Sequence, residues 1–373
     1  MFAKTIVRIL SILFILMISA CALPEVTPPV EDTAAPTTSF ITSPEASITA
    51  PSTPKTTAVT ISENNANNLV IVQKVPISNP QRLDWTNDSQ SFSVVTQTTD
   101  SAGTELSGVT TLEVPSLATR YVFSVKDGRI SAAAADGRTV ALISADWLSY
   151  SLVDLEAGNT VIASGTPGFR IANVTFSPNL KYTAVTQAEA WEVVLYSFVN
   201  NSEVRRLTGF ETAAPVFDAG FSASPVWLLW YARGTAQLQD VESGTLGARF
   251  NHEDFLTSFT LSPDSTLLAT AAGKTVNGTF SPVVILWDAA QGLELRTIVL
   301  SSSPYALSFS PNGRLLAVGV EDTLQIWRVS DGVLLGTFTG HQSTIALVKF
   351  SPDGKSIVTA GFDNQLYLWQ VLK

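Results

Sequence analysis

Short apolar runs follow one another along the chain from residue 68 onward, and small or polar turn residues separate them. Two runs are preceded by a Ser-Pro-Asp-Gly or Ser-Pro-Asn-Gly turn, at 351–354 and 310–313. Pro at the second position and Gly at the last position both suit β-turn geometry. No long segment has the 3.6-residue period of an amphipathic helix. The pattern therefore predicts an all-β domain of hairpins over residues 68–373.

The runs and turns recur as a repeat of fairly constant length. The same place in successive copies is held by Trp85, Ala133, Phe176, Phe221, Leu261, Phe309 and Phe350. Successive copies lie 48, 43, 45, 40, 48 and 41 residues apart. This spacing is close to the roughly 40–45 residues of a four-stranded propeller blade. Seven copies predict a seven-bladed β-propeller.

The two ends of the repeat region suggest how such a ring would close. After Trp369 only four residues remain, too few for a fourth strand. The run 69–72 begins 16 residues before Trp85, and Leu334, in an outer strand of the preceding copy, lies 16 residues before Phe350. We therefore expect the N-terminal strand to complete the last blade, which would close the ring and hide strand edges.

About the last 115 residues resemble the WD-repeat family, on the motifs Gly340-His341 and Trp287-Asp288. In that family a His before the first strand, a Ser or Thr on the second, an Asp in the next turn and a Trp on the third form one hydrogen-bonded network. The resemblance implies such a structural network for His341, Thr359, Asp363 and Trp369.

Other copies match that set only in part. In the Leu261 copy His252, Thr270 and Trp287 fit, but an insertion displaces the Asp position. In the Phe309 copy Glu321 takes the Asp position and Val318 replaces the Ser or Thr, while in the Ala133 copy Asp146 fits and Leu152 replaces the Trp. The first four copies keep the repeat length and lose most of the signature residues.

The N-terminal residues predict a secretory signal followed by a tether. Lys4 and Arg8 precede an apolar run at 9–18 that is too short for a transmembrane helix of roughly 20 residues. The sequence Ile18-Ser19-Ala20-Cys21 resembles the bacterial lipoprotein box, which implies removal of residues 1–20 and lipidation of Cys21. A single-pass anchor and a chance thiol beside an ordinary cleavage site are the alternatives.

Residues 21–67 are rich in Pro, Thr and Ser and have no apolar period. Such a segment cannot bury enough surface to offset its conformational entropy. We expect a disordered tether that starts at Cys21, and its glycosylation stays open.

Charge and composition narrow the classes of partner and chemistry. The formal charge is −10, and removing residues 1–20 with Lys4 and Arg8 makes it −12. An acidic chain is a poor candidate for binding nucleic acid. Cys21 is the only cysteine, which excludes an intramolecular disulfide and cysteine-based zinc sites. We expect neither a cofactor nor a metal.

Few residues suggest catalysis. The two histidines, His252 and His341, stand at the same place in the repeat, which favours a structural role. No nucleophile elbow or phosphate-binding loop is present in the sequence. Three aromatic residues in predicted turns, Trp147, Trp191 and Phe362, are candidate interface anchors. The alternative is that they pack against a neighbouring blade.

These observations favour a binding scaffold over an enzyme. The hypothesis is an extracytoplasmic propeller, anchored to the bacterial membrane by lipid at Cys21, that binds a protein or a glycan at the cell envelope. One alternative is a propeller hydrolase whose acidic residues meet in the central channel, and another is a purely structural envelope component. Three or more acidic side chains at one end of the channel would favour the enzyme.

Overall fold

The structure is a computed structural model that describes residues 57–188, 192–207, 218–221, 227–232, 234–254 and 256–373. Within these ranges the chain forms β-strands and one turn of 3₁₀ helix, so the predicted all-β class is confirmed. No helix in the described ranges is both long and apolar enough to span a membrane.

The strands of the described residues form seven antiparallel sheets, which we number in chain order from the sheet of residues 80–126 to the sheet that contains the C-terminal strand. An N-terminal segment precedes them with β1 (Ala58–Val59), the 3₁₀ turn (Ala66–Asn68) and β2 (Val70–Pro76). Sheet 1 contains β3 (Pro80–Trp85), β4 (Ser91–Thr99), β5 (Glu105–Glu113) and β6 (Thr119–Lys126). Sheet 2 contains β7 (Gly128–Ala133), β8 (Thr139–Ser144), β9 (Tyr150–Asp154) and β10 (Thr160–Gly165). Sheet 3 contains β11 (Ile171–Phe176), β12 (Tyr182–Gln187), β13 (Val193–Ser197) and β14 (Glu203–Leu207).

The remaining four sheets follow the same order. Sheet 4 contains β15 (Asp218–Phe221), β16 (Trp227–Ala232), β17 (Thr235–Asp240) and β18 (Leu246–Asn251). Sheet 5 contains β19 (Ser258–Leu261), β20 (Leu267–Val276), β21 (Thr279–Asp288) and β22 (Glu294–Val299). Sheet 6 contains β23 (Pro304–Phe309), β24 (Leu315–Val320), β25 (Thr323–Arg328) and β26 (Leu334–Thr339). Sheet 7 contains β27 (Ile345–Phe350), β28 (Ser356–Gly361) and β29 (Gln365–Leu372), together with β1 and β2.

The repeat read from the sequence coincides with these sheets. The first strand of every sheet ends at the residue that marks the repeat, from Trp85 in β3 to Phe350 in β27. The turn that follows is fixed by local hydrogen bonds, because in sheet 7 the Ser351 hydroxyl donates to Asp353 and accepts from the amide of Ser356. The same bond from Ser to the Asp or Asn two residues later recurs in sheets 3, 5 and 6, so this local bond fixes the turn in four of the sheets.

Apolar side chains between sheets form the core. Each of the seven buried apolar clusters combines residues of two sheets that are consecutive in the chain, except for one that joins sheet 7 to sheet 1. That cluster packs Leu83 and Phe92 against Val358 and Leu368. Burial of each such side chain contributes about 1.5–3 kcal/mol. Sheet 7 also bonds to sheet 1 directly, because the amide of Asp353 donates to Ser89 Oγ at 3.0 Å.

The N-terminal segment 57–76 packs on sheet 7. Strand β2 pairs with β29 at the place expected for a fourth strand, and β1 pairs with the last residues of β29. Ile61, Ala66 and Leu69 are buried in the cluster between sheets 6 and 7. Residues 57–67 were assigned to the tether from the sequence, yet the packed part of the chain begins before residue 68. Thr60 and Ser62 alternate with Val59 and Ile61, and these polar residues concealed a short apolar alternation.

Candidate functional site

We call the end of each sheet that carries the turn between its second and third strands the upper end, and the opposite end the lower end. At the upper end of sheet 7 the structure brings together the four side chains predicted to form a network. Thr359 Oγ1 lies 2.9 Å from Trp369 Nε1 and 2.7 Å from His341 Nε2. His341 Nδ1 lies 3.0 Å from an Asp363 carboxylate oxygen.

The hydrogen positions in this network follow from its chemistry. An indole N–H can only donate, so Trp369 donates to Thr359 Oγ1. The Thr359 hydroxyl then donates its own proton to Nε2 of His341, which leaves the imidazole proton on Nδ1, facing Asp363. The network therefore runs in one direction from Trp369 to Asp363, and every polar hydrogen in it has an acceptor.

Burial keeps His341 neutral. Desolvation lowers the pKa of His341 below its ordinary value, although the hydrogen bond that His341 donates to Asp363 opposes this shift. Burial raises the pKa of Asp363, but the amide of Gln342 and His341 outweigh that effect and hold the pKa below its usual range. At neutral pH Asp363 is thus a carboxylate that accepts hydrogen bonds from a neutral imidazole and two backbone amides.

Sheet 5 has the same arrangement without its last member. Thr270 Oγ1 lies 2.8 Å from Trp287 Nε1 and 2.8 Å from His252 Nε2. By the same reasoning the imidazole proton of His252 sits on Nδ1, which is buried and has no hydrogen-bond partner among the described residues. Burial lowers the pKa of His252 to about 4, and the nearby carbonyls of Gly234 and Phe250 offset this only in part.

The missing acceptor has a cause in the length of a hairpin. In sheet 7 the second strand ends at Gly361 and the third begins at Gln365, and the three residues 362–364 connect them. In sheet 5 the corresponding positions are the paired residues Ala272 and Val283, and the ten residues 273–282 lie between them. The strands of this extension pair with each other through Lys274 and Ser281, and among the described residues no carboxylate accepts from His252 Nδ1 as Asp363 accepts from His341. Lys274 instead binds Glu294, with Nζ 2.5 Å from the carboxylate.

The other partial matches use different bonds. In sheet 6 Val318 cannot accept a hydrogen bond from Trp327, whose Nε1 donates instead to Gln325 Oε1 at 3.1 Å. In sheet 2 Asp146 accepts from Ser144 within its own turn. Only sheet 7 among the described sheets therefore has the complete network.

The structure describes two of the three predicted interface residues, Phe362 and Trp147, and they differ in exposure. Phe362 is 52% exposed at the upper end of sheet 7. Trp147 is half-buried against the cluster between sheets 2 and 3, and the Arg129 guanidinium lies 5.9 Å from its ring centre. Its packing follows the alternative that the sequence left open. Trp191 and Cys21 lie outside the described residues.

Sequence reasoning missed a second exposed aromatic residue at an upper end. Phe280 is 60% exposed on the extended hairpin of sheet 5. Its ring lies over Gly273, where a Cβ would come within 2.3 Å of Phe280 Cζ. The signal was present in the sequence, because Asn277-Gly278 between apolar residues is a strong indicator of a two-residue hairpin turn.

The inner strands provide the test for channel chemistry. Of the seven inner strands, the first strand of each of sheets 1–6 and β27 of sheet 7, β3 contains Asp84, β15 contains Asp218, and the other five contain no acidic residue. Asp84 is paired with Arg82, 2.7 Å away, and also accepts from the amide of Ala133. The second guanidinium nitrogen of Arg82 donates to Thr175 on sheet 3. This carboxylate therefore joins sheets together and does not form part of an acidic cluster.

Nor do the described residues contain a group of three or more His, Cys, Asp or Glu side chains that could hold a metal ion.

Comparison with known proteins gives the C-terminal repeats a family. Residues 294–328 and 332–370 match the model of the family described as WD domain, G-beta repeat. These segments correspond to β22–β25 and β26–β29, so each begins with the outer strand of the preceding sheet. Residues 294–370 of this chain are thus similar to two successive WD repeats. The His341 network lies inside the second of them.

Curated proteins with WD repeats are similar over part of the chain. WD repeat-containing protein 18 of Rattus norvegicus is 26% identical over 153 residues, which cover 40% of this chain and 32% of that protein. Small ribosomal subunit protein RACK1 of Candida albicans is 30% identical over 142 residues, which cover 36% of this chain and 43% of that protein. The chain thus spans less than half the length of either relative.

Proposed function

We propose that the protein is an extracytoplasmic binding scaffold, a closed ring of seven WD-repeat blades held at a bacterial membrane by lipid on Cys21. Support for the ring comes from the two places where its ends meet. The cluster containing Leu83 and Val358 joins sheets 1 and 7, and β2 supplies the outer strand on β29. A ring of this kind presents a wide and rigid surface to a partner.

A single observation carries the choice of binding over catalysis. Phe362 and Phe280 are exposed at upper ends, while the polar residues beside them are used in structural hydrogen bonds. Exposed aromatic side chains on rigid backbone are typical anchors of binding surfaces. The partner is a protein, since WD-repeat proteins bind other proteins, or a glycan of the envelope.

The anchor is inferred from the residues before the fold. Cys21 follows Ile18-Ser19-Ala20, and residues 22–56 separate it from the first packed strand. Metabolic fatty-acid labelling and fractionation of the wild type and Cys21→Ala test this part. Labelled wild type in the membrane and unlabelled, released variant are expected. Equal behaviour of the two would contradict the anchor.

The binding surface is tested by cross-linking the full-length protein in intact envelopes and identifying the captured molecules. Phe362→Ala and Phe280→Ala should each reduce capture of the same partner. The matched control is Val199→Ala, because Val199 is 88% exposed at the lower end of sheet 3. Equal capture by all three variants would show that the upper ends are not the binding surface. Reproducible absence of any partner would favour a structural envelope component.

A further inference from the structure

The chain contains two Asn-Gly pairs, Asn277-Gly278 and Asn312-Gly313. Asn-Gly is the pair in which the following backbone nitrogen most easily reaches the side-chain amide, because Gly has no Cβ to hinder the approach. Both pairs lie in turns between strands, at the upper end of sheet 5 and the lower end of sheet 6. Their surroundings differ in a way that decides whether this reaction can occur.

The pair in sheet 6 is held at three points. Asn312 Oδ1 accepts from Ser310 Oγ at 2.8 Å and from the amide of Arg314 at 3.1 Å. The amide of Gly313 donates to the carbonyl of Ser310 at 2.8 Å. The side-chain carbonyl and the backbone nitrogen that would attack it are therefore both engaged.

The pair in sheet 5 lacks all of these bonds. Asn277 and Gly278 are exposed, with φ angles of 51° and 80°, at the tip of the extension formed by residues 273–282. Within the described residues, the side chain of Asn277 and the amide of Gly278 make no hydrogen bond. The pairing of β19 with β20 ends at Ala271 and that of β22 with β21 ends at Val283, so neither strand continues along residues 273–281. Besides the pairing of its own two strands, the extension is bonded through the Thr275 amide to Glu253 and through Lys274 to Glu294. A two-stranded tip opens easily.

We propose that Asn277 is a site of spontaneous deamidation in the folded protein. The backbone nitrogen of Gly278 loses its proton and attacks Cγ of Asn277, the C–N bond of the side-chain amide breaks, and ammonia leaves. Water then opens the resulting succinimide at either carbonyl, giving aspartate or isoaspartate. The reaction consumes one water, releases one ammonia and involves no oxidation or reduction.

The product changes the upper end of sheet 5. A carboxylate replaces a neutral amide close to Glu253, which already accepts from the amide of Thr275. In isoaspartate the backbone gains one carbon inside a turn of only two residues between the paired Val276 and Thr279. This lengthening is incompatible with the two-residue turn, so the pairing next to exposed Phe280 is weakened.

The test follows both Asn-Gly pairs by peptide mass spectrometry during incubation of the full-length protein at mildly alkaline pH, in buffer and in concentrated urea. In urea both pairs should react at similar rates. In buffer Asn277 should react on the order of 100-fold faster than Asn312, because the second pair must first break its three hydrogen bonds. Ser310→Ala should raise the rate at Asn312 alone, and Asn277→Gln should remove the product at the hairpin tip.

Equal rates at the two sites in the folded protein would overturn the proposal. Deamidation of Asn277 in urea but not in buffer would also overturn the proposal.

Discussion

Sheets 7 and 5 carry the same histidine, threonine and tryptophan at their upper ends but differ in the turn after the second strand. In sheet 7 that turn is three residues long and contains Asp363, so the imidazole proton of His341 has an acceptor. In sheet 5 it is ten residues long, and the equivalent nitrogen of His252 is buried with no hydrogen-bond partner among the described residues. An extended hairpin with exposed Phe280 has thus replaced one hydrogen bond of the network. The hydrogen bonds among His, Thr and Trp hold each sheet together, whereas the turn after the second strand determines which side chains the sheet exposes to solvent.

The largest expected effect comes from removing the acceptor in sheet 7. Asp363→Ala leaves the Nδ1 proton of His341 and the amide of Gln342 without an acceptor, which should cost about 3 kcal/mol of unfolding free energy. Urea unfolding followed by Trp fluorescence measures it. The control is Asp331→Ala, which removes an exposed ion pair with Arg328 and should cost less than about 1 kcal/mol. Equal losses in both variants would contradict the assigned network.

The second effect is a dependence of stability on pH that originates in sheet 5. The pKa of His252 is about 4 in the folded protein and 6.5 in the unfolded chain, so the unfolded state binds more protons between these values. Stability should therefore fall as the pH drops from 6.5 towards 4, by up to about 3 kcal/mol. His252→Leu should remove this part of the pH profile. An unchanged profile in the variant would contradict the unpartnered imidazole.

A third effect compares the two histidines at pH 7.5. His341→Leu leaves Thr359 and Asp363 without their partner and should cost about 2–3 kcal/mol. His252→Leu loses the bond to Thr270 but also removes a buried N–H that has no acceptor, so its cost should stay within about 1 kcal/mol. The two variants are compared by urea unfolding. A greater loss of unfolding free energy in His252→Leu than in His341→Leu would contradict the assigned hydrogen bonds.

The smallest effect is expected from restoring the missing acceptor beside His252 in sheet 5. Replacing residues 273–282 by Phe-Asp-Asn, the sequence of 362–364, should place a carboxylate beside His252. The new acceptor should stabilise the protein by about 1 kcal/mol and raise the pKa of His252. Urea unfolding and a pH titration measure the two changes. A pKa that stays near 4 in a folded variant would show that hairpin length is not the cause.

Much of the repeat was readable from the sequence because its signals are local. Pro and Gly in turns such as 351–354 fix hairpin length, so every repeat marker from Trp85 to Phe350 ends a first strand. The network of His341 was readable because its members stand at fixed intervals around those turns. The pairing of β2 with β29 followed from the missing fourth strand in the last repeat.

Other features depend on contacts between distant parts of the chain. Ile61 is buried between sheets 6 and 7, although its neighbours are polar and resemble the tether. Trp147 packs against the cluster between sheets 2 and 3, which the sequence of its own turn does not reveal. Phe280 is exposed because the extended hairpin has no third strand beside it. Whether each of these residues is buried or exposed therefore depends on which strands pack beside it, and the local sequence does not show this.

The two imidazoles allow the most direct test, because the chain has only two histidines. Nitrogen-15 NMR of histidine-labelled full-length protein, followed from pH 7.5 to pH 4, reports the tautomer and pKa of each ring. We expect both rings to be neutral with the proton on Nδ1, and the ring assigned with His252→Leu to titrate near pH 4. The His341 ring should show a hydrogen-bonded Nδ1 that loses this signature in Asp363→Ala. Two rings that both titrate near 6.5, with mixed tautomers, would contradict the account.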